Sequence, residues 1–163
     1  MMQTITVYHG SDCDFQVIDL SRSKNRRDFG IGFYTTTIAA QAESWARSKR
    51  VRGGGKNAYV YVYTFAPSNS LRVRRFNGLS REWLEMVKEN RSKGGVQHDF
   101  DVVIGPVADD DTMLTVSRFI QGVYTVEEAL SRLAFSRAND QVSFHTPLAL
   151  ACLHFERRYG LDA

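Results

Sequence analysis

Three short segments carry the residues best suited to chemistry. The first, Tyr8-His9-Gly10-Ser11, sets an imidazole beside a glycine backbone. Such a pair can hold a ribose, the ring nitrogen bonding a hydroxyl and the bare backbone bonding a flat amide or base. The same residues also fit a histidine satisfied by a neighbouring carbonyl at the end of a strand. The second, Asp28-Phe29-Gly30-Ile31-Gly32-Phe33-Tyr34-Thr35-Thr36, has two glycines that permit a tight path and close backbone approach. Phe33 and Tyr34 are adjacent, so on extended backbone they point to opposite sides. One can enter a core while the other faces a cleft, where an aromatic ring suits stacking on a planar group such as nicotinamide. A hairpin with an aromatic plug is the alternative. In the third, Gln141-Val142-Ser143-Phe144-His145, period two places Gln141, Ser143 and His145 on one face and Val142 and Phe144 on the other. That pattern fits a half-buried strand with a polar face, or an ordinary edge strand.

Other chemistries have weaker support. His9, His98, His145 and His154 are scattered without local zinc spacing. The run Asp109-Asp110-Asp111 fits the start of a helix, where negative charge is favoured, better than a Mg²⁺ site. No metal is expected. Ser11, Cys13 and Cys152 lie in no recognisable nucleophile motif, and two cysteines make no disulfide scaffold. There is no Gly-x-Gly-x-x-Gly between a strand and a helix, and no Gly-Lys-Ser/Thr loop, so Rossmann and P-loop domains are disfavoured.

The elements that must position these residues can be read from pattern. Residues 3–8 alternate and are β-branched, predicting a strand that His9-Gly10-Ser11 ends. Residues 12–32 read as a long loop with short structure inside, and a loop of that length in a small domain usually has a job. Thr37 is placed to cap a helix from Ile38 to about Arg50, with Ala42, Trp45 and Ala46 on one side. Tyr59 to Phe65 is apolar on both faces and predicts a central strand. Ser80 caps a helix to about Asn90. Phe100 to Ile104 predicts a buried strand stopped by Gly105-Pro106. Helices follow near 112–121 and 126–137, the second with capping-box spacing between Thr125 and Glu128. Gln141 to His145 predicts a strand, and Thr146-Pro147 starts a last helix with Leu148, Ala151, Cys152 and Phe155 as its apolar face. The order lacks a regular βαβ rhythm, which predicts an α+β fold with a mainly antiparallel sheet.

Size and charge set outer bounds. At 163 residues the chain makes one domain, 1–163, and its 43% apolar content suffices for a core. No apolar run is long enough to cross a bilayer, and no basic-then-apolar leader opens the sequence, so a soluble cytoplasmic protein is expected. Residues 1–98 carry 16 basic and 8 acidic side chains, a net of +8, while residues 99–163 carry 5 and 10, a net of −5. An anionic ligand or nucleic acid suits the basic half, and so does a solvated asymmetric surface.

Taken together, Tyr8-His9-Gly10, then Gly30-Ile31-Gly32-Phe33-Tyr34-Thr35-Thr36 with Gln41-Ala42 and Trp45-Ala46 beyond, resemble the first two signature motifs of the ADP-ribosyltransferase superfamily. They resemble its histidine–tyrosine branch, that of diphtheria toxin and the poly-ADP-ribose polymerases. The chain is most similar to small bacterial and phage-associated domains, some encoded beside antitoxin-like proteins. The likeness includes Asp101-Val102-Val103-Ile104-Gly105-Pro106-Val107-Ala108-Asp109 and Gln141-Val142-Ser143-Phe144, and covers about residues 5–155. It implies a split, mixed, mainly antiparallel sheet with NAD held between its halves. It implies that His9 bonds the adenosine-side ribose, that Gly10 backbone holds the nicotinamide amide, and that Tyr34 stacks on the nicotinamide ring. Ser11, Gly32, Thr35 and Thr36 would line the same pocket, and Asp28 and the 12–32 loop would lie over it. Gln141 falls at the start of the third motif, where most active members carry Glu. A Gln can orient a ribose hydroxyl but brings no negative charge and no base. Asp140, Asp28 or Asp109 is then a candidate acid. The implied function is an NAD-dependent mono-ADP-ribosyltransferase, with His9, Tyr34 and Gln141 as its catalytic set. It would act on a macromolecular acceptor, protein or nucleic acid, and serve as a toxin with a small antitoxin partner and no membrane association. A catalytically inactive NAD- or ADP-ribose-binding module and a nucleic-acid-binding toxin are the alternatives.

Overall fold

A computed structural model describes residues 2–108, 110–134 and 139–162. The chain runs β1 (Ile5–Ser11), β2 (Phe33–Thr35), α1 (Ala39–Gly53), β3 (Tyr59–Phe65), β4 (Val73–Arg75), α2 (Arg81–Lys93), β5 (Val102–Val107), α3 (Asp110–Ile120), α4 (Val126–Leu133), β6 (Asn139–Phe144), α5 (Pro147–Leu150) and β7 (Leu153–Gly160). The strands form two sheets. One is antiparallel in the order β1-β3-β7. The other runs β2-β6-β5-β4, with β4 and β5 parallel and the other pairs antiparallel. The architecture is α+β, mixed and mainly antiparallel, flanked by helices.

The two sheets meet at a backbone bridge. Tyr8 N–H donates to Thr36 O at 2.8 Å, and Thr36 N–H donates back to Tyr8 O at 2.9 Å. Past that bridge β1 and β2 diverge, which leaves an opening flanked by His9 and Ser11 on one side and Tyr34 on the other. Behind it the inner faces of the sheets share a core of Val7, Phe33, Tyr61, Phe65, Ile104, Val142 and Phe144. On the far face of the second sheet, Trp83, Leu84 and Val87 of α2 pack with Val116, Phe119 and Leu133 against Tyr34 and Val103. Phe33 and Tyr34 thus enter different cores, as their opposite directions require.

Helix α1 lies directly on β1. A Cβ on Gly10 would stand 2.1 Å from Ala42 O and 2.8 Å from Ala46 N, both backbone atoms that cannot step aside. Gly10→Ala is therefore expected to cost about 3 kcal/mol or more, the upper end of overpacking losses, or to prevent folding. A urea midpoint within error of wild type would show that α1 sits further from β1 than the structure has it.

Several expectations need correction. Strand β1 does not stop at His9 but continues through Ser11, because Gly10 and Ser11 still pair with Val60 and Tyr59. Thr37 does not cap α1. Its backbone N–H donates to Asp140 Oδ1 at 2.9 Å and its hydroxyl bonds the same carboxylate, so the helix starts at Ala39 with no side-chain cap. Strand β5 runs through Gly105-Pro106. Ile104 O accepts from Phe76 N–H on the β4 side. By period two the Pro106 nitrogen faces that same side, beyond the end of β4, where no ladder bond is lost.

The last helix is a single turn. Thr146 and Pro147 start it as expected, but the chain then becomes β7 on the free edge of β3. The apolar spacing from Leu148 to Phe155 is not a buried face, since Leu148 and Phe155 are both exposed. The charged side chains of β7 suit an edge strand. Strand β4 lies within the basic run Arg72–Arg75, which has no strand pattern of its own. Helix α4 carries the expected capping box and ends at Leu133. Of the helix expected to reach 137, residues 135–137 lie outside the described residues. Among the described residues no helix is long and apolar enough to cross a membrane.

Candidate functional site

The opening between the sheets is a cavity of about 800 Å³, within the range of small-molecule sites. Among the described residues its lining includes His9, Ser11, Asp28, Gly32, Tyr34 and Gln141 from the predicted set. It also includes Arg22, Lys24, Arg27, Lys49, Arg52 and Arg91, against the carboxylates of Asp12, Asp19 and Asp28. The surplus of cations attracts an anionic ligand.

His9 stands on β1 with its ring stacked on Phe33, centroids 4.2 Å apart. Its Nδ1 donates to Tyr34 O at 2.6 Å. The reading of a histidine satisfied by a neighbouring carbonyl holds. One nitrogen is satisfied by a carbonyl, and Nε2, which has no partner among the described residues, remains as an acceptor. Burial, with Lys49 second, pushes its pKa down to about 3, so the ring is neutral. Tyr8 uses its outer-edge N–H and C=O for the bridge to Thr36. By period two, those of Gly10 lie on the same edge, and Gly10 O accepts from Lys49 Nζ at 2.7 Å. Burial, with Arg27 next, lowers that ammonium to about 8.

Tyr34 is 4% exposed. Its hydroxyl donates to Gly30 O at 2.6 Å and accepts from Phe29 N–H at 3.0 Å. The ring borders the cavity, and the Arg27 guanidinium lies 4.0 Å over it. It is thus a core residue with one face covered by a cation, rather than a side chain standing free in a cleft.

Gln141 is 2% exposed. Strand β6 is buried on both faces between β2 and β5, so it is neither half-buried nor an edge strand. Gln141 Nε2 donates to Asp28 Oδ2 at 3.2 Å and to Pro106 O at 3.1 Å. Asp28 is also ion-paired with Arg91, whose Nε donates to Oδ1 at 2.7 Å.

Gly10 of the predicted set does not border the cavity, and two expected lining hydroxyls turn elsewhere. Thr35 Oγ1 donates to Val142 O at 2.8 Å, and Thr36 Oγ1 donates to Asp140 Oδ1 at 2.7 Å, so both hydroxyls are spent on holding β2 to β6. Neither borders the cavity. Asp140 is committed to Thr36 and Thr37 and is not the acid beside Gln141. Asp109 lies outside the described residues. Ser143 and His145 share the face of Gln141, but Ser143 Oγ and His145 Nε2 bond each other at 2.7 Å away from the cavity.

The loop from Phe29 to Tyr34 is clamped by side chains on four of its six carbonyls. His98 Nε2 donates to Phe29 O at 2.7 Å, the Tyr34 hydroxyl takes Gly30 O, His145 Nδ1 donates to Ile31 O at 2.8 Å, and His9 takes Tyr34 O. His98 Nδ1 in turn accepts from Phe100 N–H. Such pairs of donating and accepting nitrogens require neutral rings. Burial pushes His145 down to about 4, with His98 adding to the shift, and burial also lowers His98.

A pH dependence follows. The unfolded chain protonates these histidines near pH 6.5 while the native state does not, so stability is full above about 6.5 and falls as pH drops toward 4. His145→Gln, which can still donate to Ile31 O and accept from Ser143, is expected to remove about 1.4 kcal/mol per pH unit from that slope between pH 6 and 5. Urea melts across this window check it; an unchanged slope would mean that His145 is protonated in the native state.

Sequence reasoning missed Arg91, Lys49, Arg27 and the Pro106 carbonyl. Arg27 and Lys49 fell inside basic runs that suited an anionic ligand or a solvated surface equally and singled out neither residue, and Arg91 carries no local signal that sets it apart on α2. Residues 5–155 match the family described as "Protein of unknown function (DUF3990)". No curated protein and no solved structure matches the chain.

Proposed function

The chain belongs to the DUF3990 family of unknown function, and from its site we propose an NAD-dependent mono-ADP-ribosyltransferase of the histidine–tyrosine type. The observation that carries this reading is the convergence of His9, Tyr34 and Gln141 on one cation-rich cavity at the divergence of two sheets. The neutral His9 offers Nε2 to a ribose hydroxyl. Gly10 O is held by Lys49 Nζ, so the Gly10 N–H is the group of that edge left for the nicotinamide amide. The Tyr34 ring offers a face once Arg27 swings off it, and a freed Arg27 can meet the pyrophosphate together with Lys24 or Arg52.

Reaction then breaks the bond from nicotinamide to C1′ of its ribose, and nicotinamide departs with the bonding pair. A nucleophile on a macromolecular acceptor attacks C1′ from the opposite side and gives up its proton to solvent, with inversion at that carbon. Gln141 orients the ribose hydroxyl as positive charge develops. In a cell this chemistry fits a toxin held in check by a small partner protein. A binding module that holds NAD or ADP-ribose without cleaving it is the second reading, favoured by the neutral amide at position 141.

Calorimetric titration with NAD, followed by chromatographic measurement of nicotinamide, tests both. Binding with release supports the transferase; binding without release supports the module. No heat and no release would reject both.

A further inference from the structure

Gln141 is oriented by its neighbours. Asp28 Oδ2 and Pro106 O can only accept, so both N–H groups of the Gln141 amide are committed to them, at 3.2 and 3.1 Å. Among the described residues no buried side-chain nitrogen or oxygen lacks a partner. With both N–H groups spent, Oε1 is the amide atom left for a ligand in the cavity that Gln141 lines. Seen from the cavity, this glutamine therefore presents an acceptor only, as a glutamate would.

The carboxylate that a glutamate would bring lies directly behind the amide. Asp28 is 4% exposed and lines the same cavity. Arg91 holds its Oδ1 and the Gln141 amide holds its Oδ2. The backbone that carries Asp28 is pinned by the bonds of His98 to Phe29 O and of Tyr34 to Phe29 N–H and Gly30 O. A carboxylate at position 141 would stand against Asp28 Oδ2 and the Pro106 carbonyl with no donor between them, a like-charge contact that disfavours ionisation.

We propose that Asp28 and Gln141 form a matched pair in which the site's negative charge resides on Asp28 and acts on the substrate ribose through the Gln141 amide. Asp28 is a positioning residue. Its charge fixes which end of the amide faces the ligand, and hydrogen bonding to the anion makes Oε1 a stronger acceptor. The proposal rests on the NAD reading of this cavity. It extends that reading by stating where the charge lies and why a glutamine stands at position 141.

The test exchanges the two functional groups. Asp28→Asn, Gln141→Glu and the double variant D28N/Q141E are compared with wild type for nicotinamide release at saturating NAD, NAD affinity and melting temperature. In the double variant the amide introduced at position 28 can donate to the carboxylate introduced at position 141, so the charge moves but the pair survives. Each single change is expected to lower the rate of release by at least about tenfold, with NAD affinity changing much less. The double variant is expected to recover at least about tenfold over Q141E. Q141E should melt below wild type, and D28N/Q141E above Q141E.

A double variant whose rate falls as the product of the two single losses, or that fails to fold, overturns the pairing. So does a Q141E protein that melts with wild type. If D28N alone does not fold, the comparison of Q141E with the double variant still decides. The melting comparison needs no NAD, so a wild type that neither binds nor cleaves NAD would reject the functional reading while the melts alone judge the pair.

Discussion

Gln141→Ala is expected to lower nicotinamide release from NAD by about 10²–10³, the scale of losing one well-placed polar group at a developing charge. NAD affinity should fall much less, because the bond from Oε1 to the ribose hydroxyl strengthens as the transition state is approached. The fold should survive the change. Pro106 O keeps its bond from Trp83 Nε1 at 2.9 Å, and Asp28 keeps Arg91. Single-turnover measurement of nicotinamide with enzyme in excess reads the chemical step directly. A variant that releases nicotinamide at the wild-type rate would remove Gln141 from the mechanism.

Tyr34→Ala is expected to cost about 3–5 kcal/mol of stability, the range for deleting a buried aromatic side chain. That is a large part of the roughly 5–15 kcal/mol typical of a domain. The ring packs among Phe29, Phe76, Trp83 and Val103. Its hydroxyl is the partner of Phe29 N–H and Gly30 O, so truncation also strips bonds from the loop that carries Asp28. Loss of NAD binding in this variant would therefore not isolate a stacking role. Tyr34→Phe is the better instrument for that: it keeps the ring, costs about 1–3 kcal/mol through the unpaired loop groups, and should retain NAD affinity if stacking is what the ring contributes. Urea denaturation of both variants measures the difference. A Tyr34→Ala protein as stable as wild type would mean that the ring is not part of the core.

The central strands and the capped helices were legible because their signals are local. Tyr59–Phe65 is apolar on both faces and emerged as the middle strand of its sheet, and Thr125 with Glu128 made the capping box that their spacing announced. The failures came where a distant partner decides. Leu148 to Phe155 has helical spacing, yet β3 offers a free edge and the chain takes it as β7. Thr37 has the right side chain for a cap, but Asp140 claims it from 103 residues away.

The site divides the same way. His9, Gly32, Tyr34 and Gln141 were named because the segments that hold them together resemble the motifs of one superfamily, while each segment alone fitted an ordinary strand end or hairpin as well. Arg91 and the Pro106 carbonyl were not, because an arginine on a helix surface and a backbone oxygen carry no signal until the fold brings them to Asp28 and Gln141. Thr35 and Thr36 were carried into the pocket by the same resemblance, and their hydroxyls instead bond Val142 O and Asp140 of β6.

A crystal structure of the protein with NAD decides whether this cavity is a dinucleotide site. NAD is expected in the cavity between the sheets, with nicotinamide on the Tyr34 face and the Arg27 guanidinium moved off that ring. One ribose hydroxyl is expected on His9 Nε2 and a hydroxyl of the other ribose on Gln141 Oε1. A cavity empty at saturating NAD, or NAD bound at another surface with Arg27 still over Tyr34, would contradict that placement.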